Sequence, residues 1–181
     1  MRQKEPGLET ERLHLRFFEL TDAERVRELT GDKDISDTTL YIPYPYDKGM
    51  AEGWISTHRI KFESGETIHF AIILKTTKEL IGAVSLIIDK GSNRAELGYW
   101  IGKEYWNQGY CTEAARAIVD YGFGQLLLHK ITASHFYGNP SSGKVMSKIG
   151  MKKEGCLRKH IAKNSEFEDL VVYGILREEW E

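Results

Sequence analysis

Two stretches of this chain have the residue types and spacing to hold a phosphate. The segment GNPSSGKV (138–145) follows the pattern G-x-x-x-x-G-K-[ST] up to its last position, where Val145 replaces the hydroxyl residue. In a nucleotide-binding loop that hydroxyl places an oxygen on the magnesium ion, and valine has nothing to offer a metal. The second stretch, EYWNQGYCTEAARA (104–117), sets a glycine at the entrance of an expected helix. Glycine lets a ligand approach the backbone, and the first-turn N–H groups with the helix dipole favour an anion. Gln108, Gly109, Tyr110, Cys111 and Thr112 would supply those amides. The same residues also read as simple helix capping.

Other chemistry is limited. Cys111 and Cys156 are the only cysteines of the sequence, and no C-x-x-C or Cys/His spacing surrounds them. This excludes a disulfide framework and a zinc site and predicts a reducing, cytoplasmic setting. His135 sits alone in an apolar strand, and a Cys-His-acid triad has no support beyond the presence of its members. Both His135 and Cys111 are therefore assigned to packing or backbone contacts. The formal charge of −2, with both signs interspersed, gives no field for a nucleic-acid backbone. The N-terminal MRQKEPGLETERLHLR lacks the apolar centre of a signal peptide, and the runs FAIIL and AVSLII are too short to span a bilayer. No nucleic acid and no membrane is expected as a partner.

The elements that must position these residues follow from periodicity. With 181 residues, 41% apolar and 29% charged, the chain fits one domain over 1–181. RLHLRFF (12–18) alternates as a half-buried strand, and TDAERVRELTG (21–31) opens on a capping threonine and closes on a glycine, as a helix does. DTTLYIPYPYDK (37–48), with two prolines and three tyrosines, reads as an extended loop, either a connector or the rim of a pocket. A second helix carries Ala51, Ile55, His58 and Phe62 on one face. TIHFAIILK, ELIGAVSLIIDK and RAELGYWIG then form an antiparallel meander. A long helix from Thr112 has its apolar stripe at Ala115, Ile118, Val119, Gly122 and Leu126, and leads into the buried strand KITASHF. GNPSSGKVMSKIG makes a short helix with Asn139 as N-cap and Pro140 at its first position, and MKKEGCLRKHIAK and EFEDLVVYGIL close the chain as a hairpin. A P-loop domain would continue as alternating helix and parallel strand, whereas fewer than forty residues remain here and read as a hairpin.

LETERLHLR (8–16), AELGYWI (95–101), YWNQGYCTEA (105–114) and N-x-x-S from Asn139 to Ser142, followed by K-I-G-M, occur in that order. In this combination the chain resembles the GNAT acetyltransferases, in particular the branch of the ribosomal-protein N-terminal acetyltransferases. The family's cofactor motif, [QR]-x-x-G-x-[GA], falls on Trp106, Asn107, Gln108, Gly109, Tyr110 and Cys111, with Trp and Cys at its first and last positions. The resemblance implies an α/β (α+β) fold: a mixed, mostly antiparallel seven-stranded sheet flanked by about four helices and splayed between strands four and five. It implies transfer of an acetyl group from acetyl-CoA, a cosubstrate used without a metal, to a primary amine by direct attack in a ternary complex. The acceptor would be a protein N-terminus, such as that of a ribosomal protein, or a small amine or amino acid, and a homodimer is compatible with the family.

Residue roles are implied in the same way. Asn139 and Ser142 would flank the pantetheine and thiol, and Lys144 either meets a phosphate of coenzyme A or is a solvated helix lysine. Backbone N–H groups of Tyr99, Trp100 and Ile101 would hold the oxyanion. Glu96 reads as a general base acting directly or through water, the alternative being a surface carboxylate paired with Arg94 or a lysine. Ser142 would protonate the leaving thiolate, or else merely satisfy the first helical turn. The family's acid, a tyrosine about seven positions after the Asn, is replaced by Met146, which leaves Ser142, water or no acid. That replacement also keeps open a non-catalytic acyl-CoA binding or sensing module.

Overall fold

A computed structural model describes residues 7–180. Eight strands form a single sheet: β1 (Leu8–Glu9), β2 (Leu13–Arg16), β3 (Thr67–Leu74), β4 (Leu80–Asp89), β5 (Arg94–Ile101), β6 (Lys130–Phe136), β7 (Lys152–Lys163) and β8 (Glu166–Leu176). Their order is β1-β2-β3-β4-β5-β6-β8-β7, and every pairing is antiparallel except β5 with β6. The expected mixed, mostly antiparallel sheet is therefore present. It gains an eighth strand in β1, a two-residue pairing on β2 too short for any periodicity to reveal.

The helices are α1 (Ala23–Thr30), α2 (Lys33–Thr38), α3 (Met50–Ser56), α4 (His58–Glu63), α5 (Tyr110–Gly124) and α6 (Pro140–Lys148). Six stand where about four were expected, for two local reasons. The helix read across Ala51 to Phe62 breaks at Thr57, whose hydroxyl bonds back to the Trp54 carbonyl at 2.8 Å and competes with the helical ladder. The short α2 starts on an N-cap, Asp32 accepting from the Asp34 N–H at 2.9 Å, in residues between the first helix and the aromatic loop that carry no periodicity, and it takes in the first two residues of that loop.

Strand alternation divides the helices between the two faces. Leu13, Leu15, Phe70, Ile72, Val84, Leu86, Leu97 and Ile101 pack with Ala114, Ala115, Ile118 and Val119 of α5, Met146 of α6 and Ile149 at its C-cap. On the other face, Ala71, Ile73 and Ala83, with Trp100 against them, take Val26 and Leu29 of α1 and Ala51 and Ile55 of α3. β3 is thus covered on both sides, which is why TIHFAIIL reads as a nearly unbroken apolar run. Close approach of α5 to the sheet needs Gly122, since a Cβ there would lie 2.8 Å from Ile131.

The feature that makes a site is the divergence of β5 and β6. Their parallel pairing runs from Arg94↔Lys130 to Leu97↔Ala133 and stops. Beyond it β5 stays with β4 as far as Ile101↔Gly82, while β6 stays with β8 as far as Phe136↔Leu170. Gly98–Ile101 and Ser134–Phe136 border a wedge, where the splay between the fourth and fifth main strands was expected. Across its mouth the C-terminal half reaches back to the end of α2 and the loop after it. Asn139 Nδ2 donates to the Thr38 carbonyl at 3.2 Å, and Lys163 Nζ, from the end of β7, to that of Ile42 at 2.8 Å.

Candidate active site

The N-terminus of α5 opens beside this wedge. Gly109, its N-cap, has φ +82°, and no side chain caps the first turn, so the early N–H groups of α5 are unclaimed by any cap. The loop before it is braced from outside. Arg12 donates to the Gln108 carbonyl at 2.9 Å and to Glu113 at 2.7 Å, and its guanidinium lies 4.5 Å from the Tyr110 ring centroid. A Cβ on Gly109 would stand 3.3 Å from Arg12 Nη2, a second reason for glycine beyond its positive φ. The Gln108 side chain donates to the Glu104 carbonyl at 3.1 Å, and the exposed Asn107 takes the left-handed conformation at φ +61°. Trp106 uses its indole N–H on the Ile101 carbonyl at 2.7 Å, closing the connection from β5 to α5. Lys144 stands exposed on α6.

Backbone direction selects among the three amides grouped from the sequence. Gly102 N–H donates to Ile81 on β4 at 2.8 Å, and the β4–β5 register continues from there without a bulge. Alternation then turns the Trp100 N–H towards β4 and leaves those of Tyr99 and Ile101 facing the wedge.

Tyr99 contributes more than its backbone. It shares the parity of Leu97 and Ile101, so its ring points to the α5–α6 side. There its hydroxyl lies 2.9 Å from the Ser142 carbonyl, to which it donates, and 2.9 Å from Ser142 Oγ. Burial pushes the phenol well above its ordinary range, so it stays protonated. Met146, at the position of the family tyrosine, is 1% exposed and belongs to the core. A tyrosine hydroxyl nevertheless reaches the helix N-terminus, supplied by β5. The Ser142 N–H also bonds weakly to the Asn139 side chain at 3.4 Å, as expected of an N-cap.

On the other face of β5 lies a cleft of about 200 Å³. Leu40, Tyr41 and Ile42 overhang it, Trp54, Trp100 and Phe136 wall it, and His69, Ser85, Glu96 and Ser134 supply polar atoms. The aromatic loop after α2 is therefore a pocket rim rather than a mere connector. Glu96 is half-buried and accepts from Ser134 Oγ at 3.1 Å. Arg94 pairs instead with Asp89 at 3.0 Å. Tyr99 and Ser142 line this same cleft, so groups from both faces of the sheet meet where the strands part.

His135 borders this cleft as well but is tied to the backbone, and Cys111 lies outside it. The His135 ring donates to the Phe136 carbonyl at 2.7 Å and sits beneath α6, 2.6 Å from where a Cβ on Gly143 would be. Burial pushes the Cys111 thiol up to about 12, far from the thiolate a nucleophile needs.

Residues 12–152 match the acetyltransferase (GNAT) domain family. The chain belongs to the GNAT acetyltransferases. It is 37% identical over 172 residues, 94% of this chain and 97% of the relative, to YnaD of Bacillus subtilis, described as an uncharacterized N-acetyltransferase. It is 27% identical over 120 residues, 65% of this chain and 62% of the relative, to the [ribosomal protein uS5]-alanine N-acetyltransferase of Escherichia coli. The crystal structure of a GNAT-family acetyltransferase from Bacillus anthracis superposes with a TM-score of 0.85 at 32% identity, covering 96% of this chain and 100% of that one.

This GNAT acetyltransferase is an enzyme of acetyl transfer in a family that uses acetyl-CoA. GNPSSGKV is no phosphate loop: it is the N-cap and first two turns of α6, followed by an antiparallel hairpin. Among the described residues no cluster of metal-ligating side chains occurs, and no helix is long and apolar enough to cross a membrane.

Proposed function

We propose that the acetyltransferase moves an acetyl group from acetyl-CoA directly onto a primary amine, the acceptor being a protein N-terminus or a small amine or amino acid. The reading rests on one observation: Glu96 and the Tyr99–Ser142 pair, from opposite faces of the sheet, line a single cleft at the β5–β6 wedge. The uncapped amides of Gln108 to Thr112, with Gly109 clearing their approach, suit a pyrophosphate, so the residues present fit coenzyme A. The cosubstrate supplies an acyl group activated as a thioester. Asn139 and Ser142 border its arm, and the Tyr99 and Ile101 amides stabilise the oxyanion that develops when the amine adds to the carbonyl. Glu96 takes the proton the amine releases, directly or through a water held beside Ser134. As the N–C bond forms and the C–S bond breaks, Ser142 gives its proton to the sulfur and regains one through Tyr99 or solvent. The likeness to an enzyme that acetylates a ribosomal-protein alanine supports the N-terminal acceptor.

Melting with coenzyme A and thiol release from acetyl-CoA against amines, amino acids and N-terminal peptides test this together. A ligand at a hundred times its dissociation constant adds about 2.7 kcal/mol, or about 5–11 °C for a chain of this size. No shift at millimolar coenzyme A, with no acceptor turned over, refutes the proposal.

A further inference from the structure

The floor of the acceptor cleft holds two polar side chains that acetyl transfer itself does not use. His69 on β3 is in register with Ser85 on β4, and Ser85 with Gly98 on β5, so a polar line crosses three strands on the acceptor face. The His69 ring stacks on that of His58 at 4.3 Å and 15° and meets Trp54 edge-on at 5.5 Å. His58 is sealed beneath it, 3% exposed, with both ring nitrogens unpartnered, while His69 lines the cleft and hydrogen-bonds to no other described residue. Ser85 Oγ reaches only the Gly98 carbonyl, at a weak 3.5 Å. The cleft thus offers a rigidly held imidazole and a nearly idle hydroxyl between aromatic walls. Buried imidazoles beside one another and near Lys61 stay neutral, so this floor does not repel a cation, but neither does it attract one. Glu96 is the one carboxylate lining the cleft among the described residues.

We infer that His69 and Ser85 form a subsite for a neutral carbonyl of the acceptor beyond its amine, so that the preferred acceptor is a peptide N-terminus with an apolar first residue. This deepens the acetyl-transfer reading above and rests on it. The spacing gives the chemistry. Ser85 lies one strand over and two residues along from Glu96, about 8 Å between α-carbons at about 4.8 Å per strand and about 3.3 Å per residue. An extended peptide advances about 3.3–3.6 Å per residue, so with the amine at Glu96 the floor meets a peptide group one to two residues further on. A polyamine would bring a second ammonium to a site with no second carboxylate, and a simple alkylamine would leave both polar groups unpaired.

Four probes separate these cases: isoamylamine, leucinamide, leucyl-alaninamide and spermidine, which differ in whether a carbonyl or a second cation follows the amine. We expect kcat/KM for leucyl-alaninamide to exceed that for isoamylamine about tenfold or more, with spermidine poorest. His69→Phe, which keeps the stacked ring but loses its nitrogens, should compress that ratio to within about threefold, mainly through KM, and leave isoamylamine turnover and acetyl-CoA affinity unchanged. His69→Gln should restore much of the preference, and Ser85→Ala gives a second reading should His69→Phe fold poorly. Calorimetric binding of leucyl-alaninamide to the coenzyme A complex keeps the test independent of turnover. Binding that His69→Phe weakens about fivefold or more, without turnover, supports the subsite while refuting the activity. Turnover with an unaltered preference in both His69→Phe and Ser85→Ala overturns the subsite and leaves the activity standing.

Discussion

The pair of stacked histidines should make this fold acid-sensitive well above the range in which carboxylates titrate. Burial, first, and the neighbouring His69 and Lys61 lower the pKa of His58 to about 3, and burial with Lys61 lowers that of His69 to about 4, from an ordinary 6.5. Between 6.5 and those values the unfolded chain binds protons that the folded chain refuses. Stability is therefore complete above 6.5 and declines as pH falls towards about 4 for His69 and about 3 for His58. Each histidine forfeits about 1.36 kcal/mol per pH unit, hence about 2 kcal/mol at pH 5 and about 4 kcal/mol for the pair. The figure at pH 5 depends little on the folded values, provided both lie below it. The loss corresponds to a melting point lower by about 8–16 °C than at pH 7.5. Carboxylates with lowered pKa, such as Glu9 and Glu113, add their own losses only at lower pH. Urea unfolding at pH 7.5 and 5.0, followed by tryptophan fluorescence, measures the effect, and His58→Leu isolates it. The variant should be within about 1 kcal/mol of wild type at pH 7.5, because it replaces a group whose nitrogens bond to nothing. It should lose about 2 kcal/mol less than wild type on going to pH 5. Parallel losses in the two proteins, within about 0.5 kcal/mol, would refute the reasoning.

Three further predictions concern the reaction. Glu96→Gln should keep acetyl-CoA affinity and lower turnover about a hundredfold or more at neutral pH, the deficit shrinking as pH rises because a basic medium deprotonates the amine unaided; turnover within threefold of wild type would remove Glu96 as the base. Gly109→Asp should weaken coenzyme A binding about tenfold or more in calorimetry, since it puts a carboxylate at φ +82° where the first-turn amides open. Tyr99→Phe and Ser142→Ala should each lower single-turnover rates about tenfold, and the double variant by less than the product of the two, because they share one hydrogen-bonded unit; full additivity would separate them.

Most of the scaffold was legible because its signals are local. Alternation marked the main strands, the 3.6-residue stripe marked α5, and Asn139-Pro140 marked the start of α6. The wedge and the open helix terminus came from the order of motifs rather than from any single one. What stayed hidden depends on partners distant in sequence. Tyr99 meets Ser142 across 43 residues, whereas the helix of Asn139 itself offers only Met146 at the family's tyrosine position. The parity of AELGYWI did hold the clue, since a residue two from Leu97 and two from Ile101 must face α5 and α6. Alternation likewise distinguishes Trp100 from its neighbours once the partner of Gly102 is known. The sequence sets His58 on an apolar helix face, and it is buried, but nothing local announces that His69 on β3 stacks upon it.

The bond from Asn139 to Thr38 has a consequence for how the two substrates sense each other. One side chain both caps α6, beside the thioester's expected path, and holds the end of α2, from which the loop that roofs the acceptor cleft runs. A ligand that shifts the first turn of α6 thereby shifts the roof. If the two sides are linked in this way, occupancy of either would change affinity on the other by a common factor, identical whichever ligand is added first. Asn139 is in this sense a gauge of linkage: loosening it should make two binding isotherms independent of each other.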